Sequence, residues 1–404
     1  MTVDTGVKRA FRFRFHPTPA QADLLNRTFG SVRLVYNKAL QARTEAWRDR
    51  QERVNYTATS AMLTAWKKTG ELAFLNEVSC VPLQQCLRHL QNGFTAFWDK
   101  RARYPRFKSK RKSRASAEFT ASAFTYQDGR LTLAKMTEPL DVVWSRPLPE
   151  GTAPSTVTVT RDSAGRWHVS LLCEDTIEAL PPTDTTVGAD AGLHHLIVLS
   201  TGEKIDNPRH ERADRQRLAR AQRALSRKEK GSRNRDKARL KVARVHARIA
   251  DRRRDHLHQL TTRLVCENQT IVIEDLAVAN LLKNHTLARA ISDASWRMFR
   301  EFLTYKCFWY GRELIVNDRW FPSTRLCSQC GRLGEKLPLN VREWTCLCGA
   351  VHDRDVNAAG NTLAAGLAVK ACGADARPQR GNLRPGQSAV KQETRRATAG
   401  IPVR

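Results

Sequence analysis

Four cysteines near the carboxyl-terminal end restrict this chain more than any other feature. Cys327 and Cys330 form C-x-x-C, Cys346 and Cys348 form C-x-C, and each pair is followed by a glycine, Gly331 and Gly349. The glycines let backbone N–H groups turn toward thiolates. Four soft ligands at this spacing suit a closed tetrahedral zinc site, so the segment has to fold back on itself as a knuckle. Redox chemistry at the C-x-x-C is the weaker alternative, because no thioredoxin-like βαβ pattern surrounds it. The other six of the ten cysteines (Cys80, Cys86, Cys173, Cys266, Cys307, Cys372) are scattered and read as buried or free thiols, not as a secreted disulfide framework.

Directly after the second pair comes "HDRDVNAAGN", His352 to Asn361, where two aspartates flank an arginine and lead into a helix of small residues. Asp355 stands at the helix entrance, as an N-cap or as a ligand. Two other acids are candidates to meet it, Glu274 lying where ligand sites form in α/β sheets. Asp190 opens a β-meander in "VGADAGLHHLIVLSTGEKI", and Glu274 ends the apolar run "QTIVIEDL", expected as a buried parallel strand. Taken alone, G-x-D-x-G is as common in a plain turn, and Asp275 reads as a helix cap. Three carboxylates meeting at one sheet edge would suit two hard cations such as Mg2+, about 3.5–4 Å apart in enzymes that cleave phosphodiesters.

Charge indicates the partner. Among 404 residues, 69 Lys or Arg face 40 Asp or Glu, a net charge of +29, far beyond what solubility requires. A polyanion, best of all nucleic acid, matches it. No apolar run reaches about 18 residues and Met1 to Arg12 lacks the apolar core of a signal peptide, so a soluble intracellular protein without a membrane partner is expected. Residues 209–255 are the densest part, with 19 basic against 6 acidic residues in helical patterning broken at Gly231-Ser232. Arg215, Arg220, Arg223, Arg227, Arg244, Arg248 and Arg252 to Arg254 are its candidate phosphate contacts. A second cluster, "KRARYPRFKSKRKSR" from Lys100 to Arg114, interleaves Tyr104 and Phe107 with the charges, as nucleic-acid surfaces do.

Periodicity outlines the rest. Phe11, Phe13 and Phe15 alternate with arginines as a half-buried strand, and Thr18, Pro19 and Gln21 form a capping box for a helix with Leu24, Leu25 and Phe29 on its apolar stripe. Helical patterning continues to Trp98. From Ala117 to Glu174 it gives way to strands, with hairpins at Asp128-Gly129 and Asp162 to Gly165, forming a small antiparallel sheet or barrel. "LPPTDTT" is a linker into a second domain, in which "GRELIVND" adds a strand and "VNAAGNTLAAGLAVK" a closely packing helix. Trp296, Trp309, Trp320 and Trp344 are expected in cores, with base stacking the alternative.

The ordered set "GADAG", "IVIEDL", "FPSTRLCSQCG", "WTCLCG" and "HDRDVNAAGN" resembles TnpB, the RNA-guided DNA endonuclease of bacterial and archaeal insertion sequences, related to type V CRISPR effectors. "TPAQADLLNRTFGSVRLVYNKAL" is similar to that family's N-terminal helical segment, and the likeness extends to about Lys370. It implies a multidomain α+β chain. Residues 1–16 and 107–180 would form a wedge-like β-barrel and 17–106 a helical recognition lobe. Residues 184–320 and 350–370 would form an RNase H-like (RuvC) nuclease domain carrying the basic insertion 209–255. Residues 321–349 would be a zinc ribbon and 371–404 a disordered tail. By the same likeness Asp190, Glu274 and Asp355 are the catalytic Mg2+ ligands, while Asp353 is not carried over. Cys327, Cys330, Cys346 and Cys348 bind structural zinc, with C-x-C where many relatives have C-x-x-C. The likeness further implies a guide RNA on the basic surfaces that would direct cleavage of double-stranded DNA beside a short motif. A cytoplasmic, nucleoid-associated monomer is expected. The alternatives are an RNA-guided or direct DNA-binding repressor without cleavage, and a strand-transferring transposase.

Overall fold

In a computed structural model the chain is described over residues 5–111, 113–338 and 340–371. The tail expected to be disordered, and Cys372 with it, lies outside the described residues from 372 onward. The fold separates into two compact units. Among the described residues, one comprises 5–181, Arg209–Gln259 and Trp309–Gly311, the other Pro182–Pro208, Leu260–Phe308 and 312–371. No helix among the described residues is long and apolar enough to cross a membrane.

The first unit begins with β1 (Thr5–His16) and α1 (Pro19–Arg50), followed by α2 (Tyr56–Trp66) and α3 (Cys80–Trp98). Strands β2 (Ala115–Thr120), β3 (Phe124–Gln127), β4 (Arg130–Leu133), β5 (Asp141–Val143), β6 (Thr156–Arg161) and β7 (Trp167–Ile177) come next. The unit closes with α4 (His210–Ser226) and most of α5 (Arg233–Glu267). Alternation along β1 does what its pattern requires: Phe11, Phe13 and Phe15 are buried, and Arg12 and Arg14 face away. Pairing in the order β2-β6-β7-β1-β5 gives an antiparallel sheet whose edge strands β2 and β5 do not pair with each other among the described residues. The separate β3–β4 hairpin turns at Asp128 and Gly129, both at positive φ, and adds Leu131 and Leu133 to the same core.

α1 starts where its cap residues put it. Thr18 accepts from the Gln21 N–H, the Gln21 side chain accepts from the Thr18 N–H, and Pro19 occupies the first turn. Its apolar stripe (Val32, Val35, Ala39, Leu40) meets Leu83, Leu87 and Leu90 of α3, and each fully buried leucine contributes about 1.5–3 kcal/mol. The basic stretch 209–255, expected as an insertion of the second domain, packs with the first unit instead. Leu218 of α4 and Val245 and Ile249 of α5 bury a small apolar seam, and Arg166 of the β6–β7 hairpin region pairs with Asp251 of α5.

The second unit is built on β8 (Thr186–Ala191), β9 (His195–Leu199), β10 (Lys204–Asp206), β11 (Thr270–Glu274) and β12 (Glu313–Asn317). The helices α6 (Val278–Leu281), α7 (Ala288–Ala294) and α8 (Trp296–Tyr310) lie between β11 and β12 in the chain. A short hairpin of β13 (Glu343–Thr345) and β14 (Val351–Asp353) then leads into α9 (Arg354–Ala371). The sheet order is β10-β9-β8-β11-β12, with β8, β11 and β12 parallel and the meander β8-β9-β10 antiparallel. As its unbroken apolar run required, β11 is buried along Thr270 to Ile273.

Two glycines explain how closely α9 lies on this sheet. A Cβ on Gly188 of β8 would stand 2.2 Å from the Ala359 carbonyl oxygen, and one on Gly366 of α9 would stand 2.5 Å from Cγ1 of Val272. The small residues of "NAAGN" therefore allow backbone-to-backbone packing, and that packing brings the start of α9 to the strand ends.

Candidate functional site

Register assembles the first part of the site. Ala189 of β8 pairs with Ile273 of β11, and Glu274 pairs with Asn317 of β12, so Asp190, Glu274 and Asn317 form a row across the carboxyl ends of three parallel strands. Neighbours in such a row are about 4.8 Å apart along the sheet. Asp355, in the first turn of α9, joins the row because α9 packs on β8 through Gly188. Asp190 is 9% exposed. Burial first, then the charges of Glu274 and Asp355, hold its carboxyl well above the usual carboxylate range, with Arg354 opposing. The three acids expected from distant parts of the chain thus act on one another. Their oxygens do not crowd within 4.8 Å of one another; among the described residues only the four cysteines do so.

Each acid has its own surroundings. Glu274 Oε1 accepts from the Ser323 hydroxyl at 2.7 Å, and Asp355 pairs with the Arg342 guanidinium at 3.3 Å. Neither Ser323 nor Arg342 was a candidate in the sequence. Both belong to the cysteine-bearing segment, and only the fold brings them to acids far away or on another element.

The two aspartates of "DRD" divide the work that the sequence left open. Asp353 is the cap: its Oδ1 accepts from the N–H groups of Asp355 and Val356 at 3.1 and 3.0 Å, and its other oxygen pairs with Lys204. Burial pushes the Asp353 carboxyl up, but Lys204 and these N–H groups outweigh it and hold the carboxyl below its ordinary value. Asp355 is thereby released from capping and faces Asp190. Asp275, expected as a helix cap, is held by two arginines instead, Arg300 at 2.5 Å and Arg319 at 2.6 Å. The N-cap position of α6 falls instead on Ala277, and no side chain caps that helix.

The cysteines converge. All four Sγ atoms lie within 4.8 Å of one another, with Cys327 to Cys348 at 3.8 Å and Cys330 to Cys346 at 3.7 Å. Zinc–thiolate bonds of about 2.3 Å at tetrahedral angles require sulfur–sulfur edges of about 3.8 Å, so the donor set fits zinc. Burial raises the Cys327 thiol, but the N–H groups of Cys330 and Gln329 and the ring of His352 more than offset it and bring it down to about 5. Cys330 goes the other way, to about 12: the Arg332 N–H favours its thiolate, and the neighbouring cysteines oppose it more strongly. Protons held by such crowded thiols are what a divalent ion displaces. His352, which the sequence reading passed over, is buried with Nε2 at 3.0 Å from Cys327 Sγ and its ring against Trp344.

This loop is latched to α9. Asn357 accepts from the Ser328 N–H and donates to the Leu326 carbonyl, while Asn361 donates to the carbonyls of Ser323 and Leu326. The i, i+4 asparagines of "NAAGN" therefore bind the cysteine-bearing loop and the acid-bearing helix into one body.

In the first unit, a basic cleft of 990 Å³ is walled by Arg12, Lys110, Arg114, Lys237, Arg239 and Arg254 among others. Burial and then Arg114 and Arg254 push the Arg12 guanidinium below its ordinary value. Several of the candidate arginines are engaged internally: Arg248 and Arg252 with Asp214, Arg215 with Glu211, and Arg254 with Asp251. Tyr104 and Phe107 are exposed among the charges. Of the four tryptophans expected in cores, Trp296 is buried, Trp309 is half-buried with the Arg9 guanidinium over its ring and Trp344 packs on His352, but Trp320 is 84% exposed. Its turn is fixed from both sides, by Asp318 to its own N–H and by Asp275 to Arg319, and this holds the indole outward.

Comparison with known proteins places the site residues within matched family segments. Family models match at residues 168–285 ("Probable transposase"), 296–362 ("Cas12f1-like, TNB domain") and 1–52 ("Helix-turn-helix domain"). The first span contains Asp190 and Glu274, and the second contains the four cysteines and Asp355. A Streptomyces pristinaespiralis protein named "Putative RNA-guided DNA endonuclease" is 69% identical over 98% of this chain and 98% of its own. A relative from Escherichia coli K12 with the same description is 32% identical over 90% of this chain and 94% of its own. In fold the chain is similar to the protein of a Cas12f1-sgRNA-target DNA complex, with a TM-score of 0.54 and 11% identity, covering 88% of this chain and 98% of that one.

Proposed function

The chain belongs to the TnpB family of insertion-sequence-encoded RNA-guided DNA endonucleases, and from that premise we propose how its own residues carry the activity. Asp190, Glu274 and Asp355 are the ligands of two Mg2+ ions at the site of DNA phosphodiester hydrolysis. The observation that carries this reading is the convergence of the three acids at the strand ends, with Asp190 buried and its negative charge disfavoured by the other two. A carboxylate set of this kind needs hard cations to be charged together, and oxygen donors suit Mg2+. When bound, a pair of such ions would activate water and stabilise the leaving oxygen.

The protein's own part is placement. Asp190 feels both other acids, Glu274 at the end of β11 and Asp355 in the first turn of α9. Ser323 orients the Glu274 carboxylate, and Arg342 holds that of Asp355 by an ion pair with which a cation competes. The four-cysteine site, loaded with zinc, keeps the loop that supplies Ser323 and Arg342 in shape. The order β10-β9-β8-β11-β12 with α9 on the sheet supports an RNase H-like (RuvC) assignment for the second unit. We read the N-terminal sheet as a wedge and α1 to α3 as a recognition lobe. Guide RNA lies on the basic surfaces while base pairing selects the double-stranded target.

The test is Asp190→Ala in the complete complex with guide RNA. RNA should copurify as with the wild type while DNA cleavage is lost; a variant that still cuts removes the site assignment. Joined DNA product from the wild-type protein, in place of simple breaks, would favour strand transfer, and binding without breaks would favour a repressor.

A further inference from the structure

Resting on that reading, we propose that Trp320 is a positioning residue whose indole is the platform on which a nucleobase of the strand being cut stacks, beside the acid cluster. The indole is 84% exposed, yet its backbone is firmly held. Asp318 Oδ1 accepts from the Trp320 N–H at 2.9 Å, and the Phe321 N–H donates to the Asp318 carbonyl at 3.2 Å. The Arg319 guanidinium reaches both the carbonyl and the carboxylate of Asp275. Three residues further on, Ser323 bonds to Glu274. One short turn thus presents an aromatic face to solvent and orients a catalytic acid, which fixes the position of one relative to the other.

Trp320 also forms part of the wall of a 360 Å³ pocket shared with Glu274, Asn280, Asn317 and Arg319. That volume is within the range of about 300–1,000 Å³ typical of small-ligand clefts. Asn317 is 6% exposed, and its Nδ2 donates to the Thr362 carbonyl at 2.7 Å. Its Oδ1 is a buried acceptor with no partner among the described residues. Every nucleobase offers both a π-face and at least one N–H donor on its pairing edge, so an indole together with a single acceptor would hold any base. A guided enzyme needs this tolerance, since the sequence at its cut changes with the guide.

The experiment uses the full chain with guide RNA and target duplexes carrying one abasic nucleotide at successive positions flanking the cut. Trp320→Ala should raise the half-saturating DNA concentration by about 5- to 150-fold, the range of one lost stacking contact, with a smaller change in kcat. Trp320→Phe should recover most of that loss. One abasic position should reproduce the defect in the wild-type protein and add nothing to it in Trp320→Ala. 2-Aminopurine at that position should be quenched in an Asp190→Asn background and unquenched once Trp320→Ala is added. An abasic profile identical in wild type and Trp320→Ala, while Asp190 is still required for cutting, overturns the platform and leaves the metal site standing. Cleavage that survives Asp190→Asn overturns the metal site instead.

Discussion

Replacing Gly188 by alanine tests whether the close approach of α9 to β8 sets the geometry of the acids. The new Cβ would lie 2.2 Å from the Ala359 carbonyl oxygen and 2.8 Å from Leu363 N, and such contacts are essentially never below 3.0 Å. The obstruction is backbone on both sides, so α9 has to retreat by at least about 0.8 Å, and Asp355 in its first turn moves away from Asp190 with it. Overpacking of this kind destabilises by about 1–3 kcal/mol, and a displacement of about 1 Å at reacting groups costs about 100-fold in rate. Gly366→Ala is the control. Its Cβ would meet Val272 Cγ1 at 2.5 Å, so it also lifts α9, but near the far end of the helix from Asp355. Thermal unfolding and single-turnover DNA cleavage, measured on both variants where both are folded, separate stability from placement. Gly188→Ala should lose about 100-fold in cleavage, and Gly366→Ala far less for a comparable loss of stability. Equal activity losses in the two, or wild-type cleavage by Gly188→Ala, would refute the reasoning.

Three further outcomes follow from the geometry. Asp353→Ala removes the cap of α9 and should lower stability by about 0.5–2 kcal/mol while folded protein still cuts, whereas Asp355→Asn should fold normally and not cut; the reverse pattern would exchange their roles. Burial, with Arg12 contributing, pushes the His168 imidazole down to about 4 from 6.5. Its neutral folded form is thus fully stabilising above pH 6.5, and that stability is lost as pH falls toward about 4; denaturant titrations should show His168→Phe flattening this acid limb, and an unchanged slope would contradict it. Native mass spectrometry should find one zinc per chain, absent in Cys327→Ala. Limited proteolysis of that variant should open the loop around residues 321–350, and a wild-type digestion pattern would rule out zinc as the element holding it.

Much of the fold could be read directly from the chain because the determinants are local. The capping box at Thr18, Pro19 and Gln21, the Asp128-Gly129 turn and the alternation of Phe11, Phe13 and Phe15 each involve residues a few positions apart, and backbone sterics and burial resolve them without distant help. The same holds for the cysteine knuckle, whose ligand spacing carries its own geometry. The motif order also singled out Asp190, Glu274 and Asp355 as candidates, and these are the acids that interact in the fold.

What depended on distant partners was not readable in this way. Asp353 and Asp355 have the same side chain two residues apart, and only Lys204 and the packing of α9 on Gly188 separate the cap from the acid that acts on Asp190. The cap that Asp275 was expected to provide gave way to two arginines, 25 and 44 residues further along the chain. Trp320 left its expected core because a turn anchored at Asp318 and Asp275 holds it in water. Short-range patterns in the chain specify which elements form and which residue types they carry. Which of those side chains meet, and at what charge, is a property of non-local packing, where burial and neighbouring ions set the energy of each group.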